Sequence, residues 1–463
     1  MNPTGRLVHI FNKFGFDLFL VGGPVRDRLM GTTSNDIDLT TNAPPERIKE
    51  LVRRAGANDI YTIGERFGTI GAIFDGETLE ITTFRSESYR SGSRKPEVQF
   101  GTSLEADLGR RDFTVNAVAQ DVQSGQIIDP HGGIADVVAG KIRSVGTADD
   151  RFREDPLRVL RCVRFAVQLD FDVDSATLAA ARRNVPELQH ISAERIAAEL
   201  QLILLAQRPD RGLIMMLELG ILGLVIPELI PLQQTEQEKE RQHKDVFAHT
   251  MRVLRGTPPV PELRWAALLH DVGKPQTKTF RRGRVRFFGH EERGARIADR
   301  ILRRLKIDGR MTEKVTEIVR LHMRANSYTT DWTDGGVRRF IRDADGNLNA
   351  LLALSRADIT SYQPRRVEDG LARVAELQMR CEQLQAEQDI ATLDSPLDGH
   401  ALMELFDRGQ GVWIKPIKQY LLDLVLDGDL EPGDIEQARD LATEFVESHA
   451  EAARQAESYG TDA

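Results

Sequence analysis

Strand-forming runs are confined to the first third of this 463-residue chain, and that confinement limits its fold more than any other feature. From Leu18 to about Ala119, short β-rich runs (LFLVGG, GAIFDG, TLEITTF) alternate with helical stretches and Gly or Pro punctuation, the pattern of an α+β unit built on a small sheet. After Gly140 the strand signals nearly vanish. From Asp174 to Leu205 the apolar side chains instead recur three and four apart, as in amphipathic helices. With 41% apolar residues, the chain holds more than one core normally serves. The expected fold is therefore α+β and multidomain, a small sheet domain at the N-terminus followed by a mostly α-helical remainder. The stretch from Gln233 to Gln242, rich in Gln and Glu, is read as a linker, and Pro258, Pro259 and Pro261 mark a second turn region.

Only two cysteines occur, Cys162 and Cys381, which excludes a disulfide framework and a cysteine-rich zinc site. The amino terminus lacks the order of a signal peptide, and no apolar run approaches membrane-spanning length. A cytoplasmic protein with no membrane partner is expected, and the oligomeric state is left open. A net charge of -9 does not exclude a nucleic-acid partner, because binding depends on where charge sits. Residues 281–306 hold ten Arg or Lys against three acids, whereas residues 429–463 hold ten acids against two Arg. Each is read first as a solvated helix face.

In Asn-Asp-Ile-Asp-Leu, Asp36 and Asp38 stand two apart, so on a strand both project from one face, about 7 Å apart. Like charges that close repel unless cations neutralise them, and a shared pair of Mg²⁺ ions around an in-line phosphoryl displacement needs such carboxylates. Fourteen residues earlier, Gly22 and Gly23 follow an apolar strand and open a helix in Val-Gly-Gly-Pro-Val-Arg-Asp. Backbone amides there can cradle phosphates, and Arg26 on the first turn can add a charge-assisted hydrogen bond to a triphosphate oxygen.

GGPVRDRLMG, NDIDLTT, RRDFTVNA, DPHGG and EDPLRVLR together make residues 15–230 resemble the bacterial tRNA nucleotidyltransferase and poly(A) polymerase family, in that family's order and approximate spacing. The resemblance implies a polymerase-β-like nucleotidyltransferase head (residues 1–140) and a helical neck with a base reader and RNA-binding helices (141–232). It makes Asp36 and Asp38 the catalytic metal pair, with Glu80 on TLEITTFR as a third acidic residue. It gives Arg111 the phosphates and Asp112 the ribose hydroxyl, and places Arg161 in the same nucleotide pocket. Asp129 with Gly132 and Gly133 matches a segment linking head and neck, for which a plain turn is an equally good reading. The polar stretch from Ser86 to Leu108, with Tyr89, Arg90, Arg94 and Lys95, corresponds to a family loop that takes part in switching from C to A addition, and it is not shortened here.

Asp155 and Arg158 stand three apart and are expected to share a helix face. A carboxylate accepting from an amino group beside a guanidinium donating to a ring nitrogen admits cytosine and adenine alike, whereas uracil and guanine reverse that order. The expected function is thus template-independent addition of CCA to the tRNA 3′ end from CTP and ATP, with Mg²⁺ and pyrophosphate release. An enzyme adding only A or only CC, or a poly(A) polymerase, is the alternative within the class. From another class, the alternative is a phosphohydrolase with an RNA-binding head.

Downstream, His249, the pair His270 and Asp271 in WAALLHDVGKP, then His290, His322 and Asp358 resemble the HD phosphohydrolase superfamily. His270, Asp271, His249 and Asp358 mix imidazole nitrogen with hard oxygen, which suits Mn²⁺, Ni²⁺, Co²⁺ or Mg²⁺. His290 and His322 are read as completing a second metal site or binding phosphate. This HD metal-binding domain is set at residues 233–365, with a helical tail at 366–463. In related fused enzymes such a domain is credited with phosphatase and 2′,3′-cyclic phosphodiesterase activity.

Overall fold

A computed structural model describes residues 3–32, 37–88, 97–101, 103–235, 245–281, 284–361, 363–387, 390 and 393–459 of the chain. Contacts divide it into two compact units, Met1–Ile230 with Arg304–Ile307, and Pro231–Arg303 with Asp308–Ala463. The positions 140 and 365 drawn from the sequence fall inside these units, so head packs with neck and HD domain with tail.

In the first unit β1 (Phe19–Val21), β2 (Ile37–Thr41), β3 (Asp59–Tyr61), β4 (Thr69–Phe74), β5 (Glu77–Thr83), β6 (Arg85–Ser88), β7 (Glu97–Phe100), β8 (Ala119–Asp121) and β9 (Ile127–Ile128) are strands. Seven of them form one mixed sheet in the order β3-β4-β5-β2-β1-β8-β9, while β6 and β7 pair as a separate hairpin. Alternation explains the sheet's sidedness. Leu39, Leu79 and Ile81 face a core completed by Leu7 and Phe11 of the Pro3–Lys13 helix and Ile48 and Leu51 of the Pro45–Arg54 helix, leaving Asp38 and Glu80 on the opposite face. Within the stretch expected as a polar loop, Ser86 to Leu108, the described residues form the end of β6, β7 and most of the Leu104–Gly109 helix. Tyr89, Arg90, Arg94 and Lys95 lie outside the described residues, as do residues 236–242 of the expected linker.

The neck is helical, but its long amphipathic stretch is interrupted. Pro186 turns the chain into a short 3-10 segment after Ser175–Asn184, and Ser192 caps a new helix, Ala193–Leu205, by accepting from the Arg195 amide. The second unit adds one hairpin, Thr279–Arg281 with Arg284–Arg286, to an otherwise helical body. The basic stretch after Arg281, read as a helix face, is therefore part strand and part helix, His290–Arg304. Among the described residues no helix is long and apolar enough to cross a membrane.

Candidate functional site

In the first unit, Asp38 and Glu80 are direct partners across the parallel β2–β5 pair, so their side chains leave the same face of the sheet from backbones about 5 Å apart. Asp36 lies outside the described residues. Tyr61 joins the row from β3: its hydroxyl stands 3.5 Å from Glu80 Oε1. Partial burial, and then the charges of Glu80 and Asp38, push the Tyr61 phenol up. Its ring crosses β4 at Gly71, where an added Cβ would lie 1.9 Å from Tyr61 Cζ.

Beside this row Gly22 turns the chain at φ +73° into the Gly23–Leu29 helix, a conformation that favours glycine. The two arginines assigned to phosphate differ in how they are held. Arg26 is buried, with Nε and Nη2 donating to Asp27 Oδ1 at 2.9 and 2.7 Å and Nη1 to Asn116 Oδ1 at 2.7 Å. It ties the helix start to the 114–116 turn with three of its five N–H groups. Arg111 is held only by long contacts, 3.3 Å to Asn116 O and 3.5 Å to Asp107 Oδ2, and its Nε is buried without a hydrogen-bond partner.

Asp112 is buried. Its Oδ2 accepts from Arg161 Nε at 2.7 Å and its Oδ1 from the Phe113 amide at 2.9 Å and Asn116 Nδ2 at 3.2 Å. Burial pushes its carboxyl up, but the Arg161 guanidinium outweighs this and the net shift is downward. Asp129 accepts from the Gly133 and Ile134 amides at 2.7 and 2.9 Å, a helix-capping role for the DPHGG segment.

The shared helix face expected of Asp155 and Arg158 is not present. Asp155 is extended, at φ -140° and ψ 99°, and ends the Ala148–Glu154 helix, because Pro156 bars the residue before it from helical geometry and starts the Leu157–Gln168 helix. The two side chains take separate partners. Asp155 Oδ2 accepts from Arg195 Nη2 at 2.8 Å. Buried Arg158 donates to Arg110 O at 2.8 Å and Glu154 Oε2 at 3.0 Å, which joins neck to head.

The second unit gathers all six expected ligands. His249, His270 and Asp358 form one group, and Asp271, His290 and His322 another, with ligand atoms within 4.8 Å of one another in each. They come from the ends of the Pro261–Leu269 and Leu348–Asp358 helices, the start of His290–Arg304, and the interiors of Val246–Gly256 and Gly309–Asn326. Each of three imidazoles is anchored from behind by a backbone oxygen. The Nδ1 atoms of His270, His290 and His322 lie 2.9, 2.8 and 2.7 Å from the carbonyls of Ala267, Phe287 and Val319. A carbonyl only accepts, so each Nδ1 carries a proton and Nε2 is the atom turned inward, where a metal would take its lone pair; His290 Nε2 and His322 Nε2 face each other there at 3.2 Å. His270 Nε2 is buried without a hydrogen-bond partner, and burial, with the neighbouring His270 charge, pushes His322 down to about 4.

Asp271 stands between the groups, with Oδ2 at 3.2 Å from His270 Nε2 and Oδ1 at 3.5 Å from His290 Nε2, while Lys274 Nζ donates to Oδ2 at 2.6 Å. Burial pushes Asp271 up, yet His270 and Lys274 hold it well below the usual carboxylate range. Asn326 Nδ2 donates to Asp358 Oδ2 at 2.6 Å. This set of imidazole nitrogens and ionised carboxylates fits divalent cations. It opens on a cavity of about 600 Å³.

Sequence profiles match three known families: the poly A polymerase head domain over residues 18–143, the probable RNA and SrmB-binding site of polymerase A over 170–232, and the HD domain over 244–363. A CCA-adding enzyme from Bacillus velezensis is 30% identical over 426 residues, 92% of this chain and 93% of the relative. The chain belongs to the CCA-adding enzyme family. The CCA-adding enzyme of Geobacillus thermodenitrificans is 36% identical over 277 residues, 60% of this chain, and that match spans 64% of the relative's length. A crystal structure of the Bacillus stearothermophilus CCA-adding enzyme in complex with CTP superposes with a TM-score of 0.69 at 25% identity, covering 98% of this chain and 100% of that one.

Within this CCA-adding enzyme family member, Tyr61, Arg195 and Asn326 have no motif of their own and reach the sites only through tertiary contacts. Asn116 and Lys274 lie inside RRDFTVNA and WAALLHDVGKP, but only the folded chain shows their partners, Arg26 and Asp112 for Asn116 and Asp271 for Lys274.

Proposed function

We propose that this chain adds C, C and A to the 3′ end of tRNA, taking CTP and ATP and releasing pyrophosphate. The observation that carries the reading is the Asp38–Glu80 pair on the open face of the head sheet, beside loosely held Arg111 and buried Asp112. A relative similar over 92% of this chain carries the name CCA-adding enzyme, and a similar protein has been crystallised with CTP. Asp36, Asp38 and Glu80 would hold Mg²⁺, which when bound supplies activation of the attacking 3′-hydroxyl and neutralises charge on the departing pyrophosphate. Arg111 pairs with the triphosphate, Asp112 accepts from the ribose hydroxyl, and Asp155 and Arg158 read the base edge once nucleotide draws them from Arg195 and Glu154. In the transfer the 3′-oxygen bonds to the α-phosphorus, the bond to the β-phosphate bridging oxygen breaks, and the hydroxyl proton goes to solvent.

The test is incubation with tRNA transcripts ending before CCA, after C and after CC, with Mg²⁺ and each NTP in turn. Three residues added to the first transcript, with UTP and GTP rejected, is the expected result. Asp38→Ala should lower the rate at least ~1000-fold. Extension only from the CC end, or long A tracts, would replace the reading with an A-adding enzyme or a poly(A) polymerase.

A second reading rests on the two His/Asp groups: the HD domain hydrolyses phosphate esters with a divalent cation. His249, His270 and Asp358 would hold one ion and Asp271, His290 and His322 another, supplying an activated water. Water oxygen bonds to phosphorus as the ester P–O bond breaks, and the leaving oxygen takes a proton.

A further inference from the structure

Three imidazoles of the second unit are steadied by backbone carbonyls, an anchor that a carboxylate cannot use because it has no proton to give. The torsion that turns a carboxylate about its Cβ–Cγ bond is broad and two-fold, so rotamer preference alone leaves Asp358 able to face its neighbours with either oxygen or with both. The structure removes that freedom. Oδ1 faces the imidazoles of its own group, 2.9 Å from His249 Nε2 and 3.9 Å from His270 Nε2. Oδ2 is turned away from them and accepts from Asn326 Nδ2 at 2.6 Å.

The Asn326 amide has the same broad torsion, and a second contact fixes it: Ser355 Oγ donates to Asn326 Oδ1. Ser355 is 1% exposed and stands three residues before Asp358 on the Leu348–Asp358 helix, so the two side chains share a face. Between them they admit the amide in one sense only, since a turned amide would set its oxygen against the ionised Asp358 carboxylate. With its oxygen on Ser355 and its nitrogen on Asp358, Asn326 offers no atom to an ion. It also reaches toward the other ligand group. Asn326 ends the Gly309–Asn326 helix, one turn beyond His322, and so ties the helix that carries His322 to the helix that carries Asp358 at the ligand itself.

We propose that Asn326, held by Ser355, is a positioning residue of the His/Asp groups, fixing Asp358 as a one-oxygen ligand of the ion it would share with His249 and His270. This rests on the divalent-cation reading of those groups and extends it to two residues that touch no ion. Partners that hold a ligand from behind typically strengthen metal binding roughly 10–100-fold.

The test is Co²⁺ titration of the full chain, followed by calorimetry and by visible absorption, in an Asp38→Ala background that weakens the oxygen-only head site. Asp358→Ala identifies the binding step that belongs to its group. Asn326→Leu keeps the shape of the side chain and removes both hydrogen bonds. It should weaken that step roughly 10–100-fold and alter the Co²⁺ absorption band as Asp358 turns, with the step of Asp271, His290 and His322 moving less than about threefold. Ser355→Ala, which leaves Asn326 in place, should show the same changes in smaller measure. Thermal unfolding of each metal-free variant separates positioning from packing, because a packing role alone would lower the midpoint and weaken both steps alike. An unchanged step and band in Asn326→Leu, or equal weakening of both steps, would overturn the role of Asn326 and leave the divalent-cation reading standing. Absence of Co²⁺ binding to the unaltered His/Asp groups would overturn both.

Discussion

Arg26 and Arg111 both carry a guanidinium beside the Gly22 turn, yet only Arg26 is held by short hydrogen bonds. Motif spacing named both and ranked neither, because the partners that decide their roles, Asn116 and Asp107, arrive through folding. Asp112 is the sharper case. Its carboxylate sits 2.6 Å from Arg161 Nη2 and its folded pKa lies below the ordinary value. A lowered folded pKa means the pairing stabilises the fold fully above the unfolded carboxylate value, about 3.9, and the benefit fades as pH falls through the folded value. Asp112→Asn should therefore cost about 1–3 kcal/mol at pH 7, from a guanidinium left without its counter-charge. Urea denaturation midpoints should show the gap to the parent protein narrowing as pH drops toward about 3.5.

At the scale of elements, the head site is a row across four strands: Tyr61 on β3, Gly71 on β4, Glu80 on β5 and Asp38 on β2. Gly71 permits the row, since its missing side chain is what lets the tyrosine ring cross β4. Gly71→Ala should push the ring away from Glu80 and raise the Mg²⁺ concentration giving half-maximal nucleotide addition a few-fold, in line with a long hydrogen bond to a charged group worth about 1 kcal/mol. Tyr61→Phe keeps the ring and removes only the hydroxyl, so a matching shift in that variant assigns the effect to the hydrogen bond, and none assigns it to the ring. Of this row, the sequence showed the long strands β4 and β5 with Glu80 upon them, since seven alternating residues carry a period. It did not show β3, β8 or β9, because two or three residues carry none. Pro156 marks the break at Asp155, whereas the three-residue spacing by itself implies a helix face that Asp155 and Arg158 do not share.

For the whole molecule, the division into two units sets the strongest constraint on function. The Asp38–Glu80 pair lies wholly in the unit built on Met1–Ile230, and all six His/Asp ligands lie wholly in the other. The motifs made both sites legible because each ligand stands in a recognisable local pattern, whereas the packing that joins segments into two compact units is recorded in no local pattern. The chemistry differs as well. Asp38 and Glu80 offer only oxygen, which suits Mg²⁺, while the imidazoles of the second set favour later transition metals. If each site is self-contained, His270→Ala with Asp271→Asn should abolish ester hydrolysis and leave CCA addition within about twofold, and Asp38→Ala should do the reverse, because substitutions that share no partner act independently. Titrating Ni²⁺ into chelator-treated protein, with both activities followed in one sample, should restore hydrolysis without restoring nucleotide addition, and Mg²⁺ should restore addition. Loss of both activities from either variant would mean that one site depends on the other for its shape, and the two readings would then describe a single enzyme rather than two.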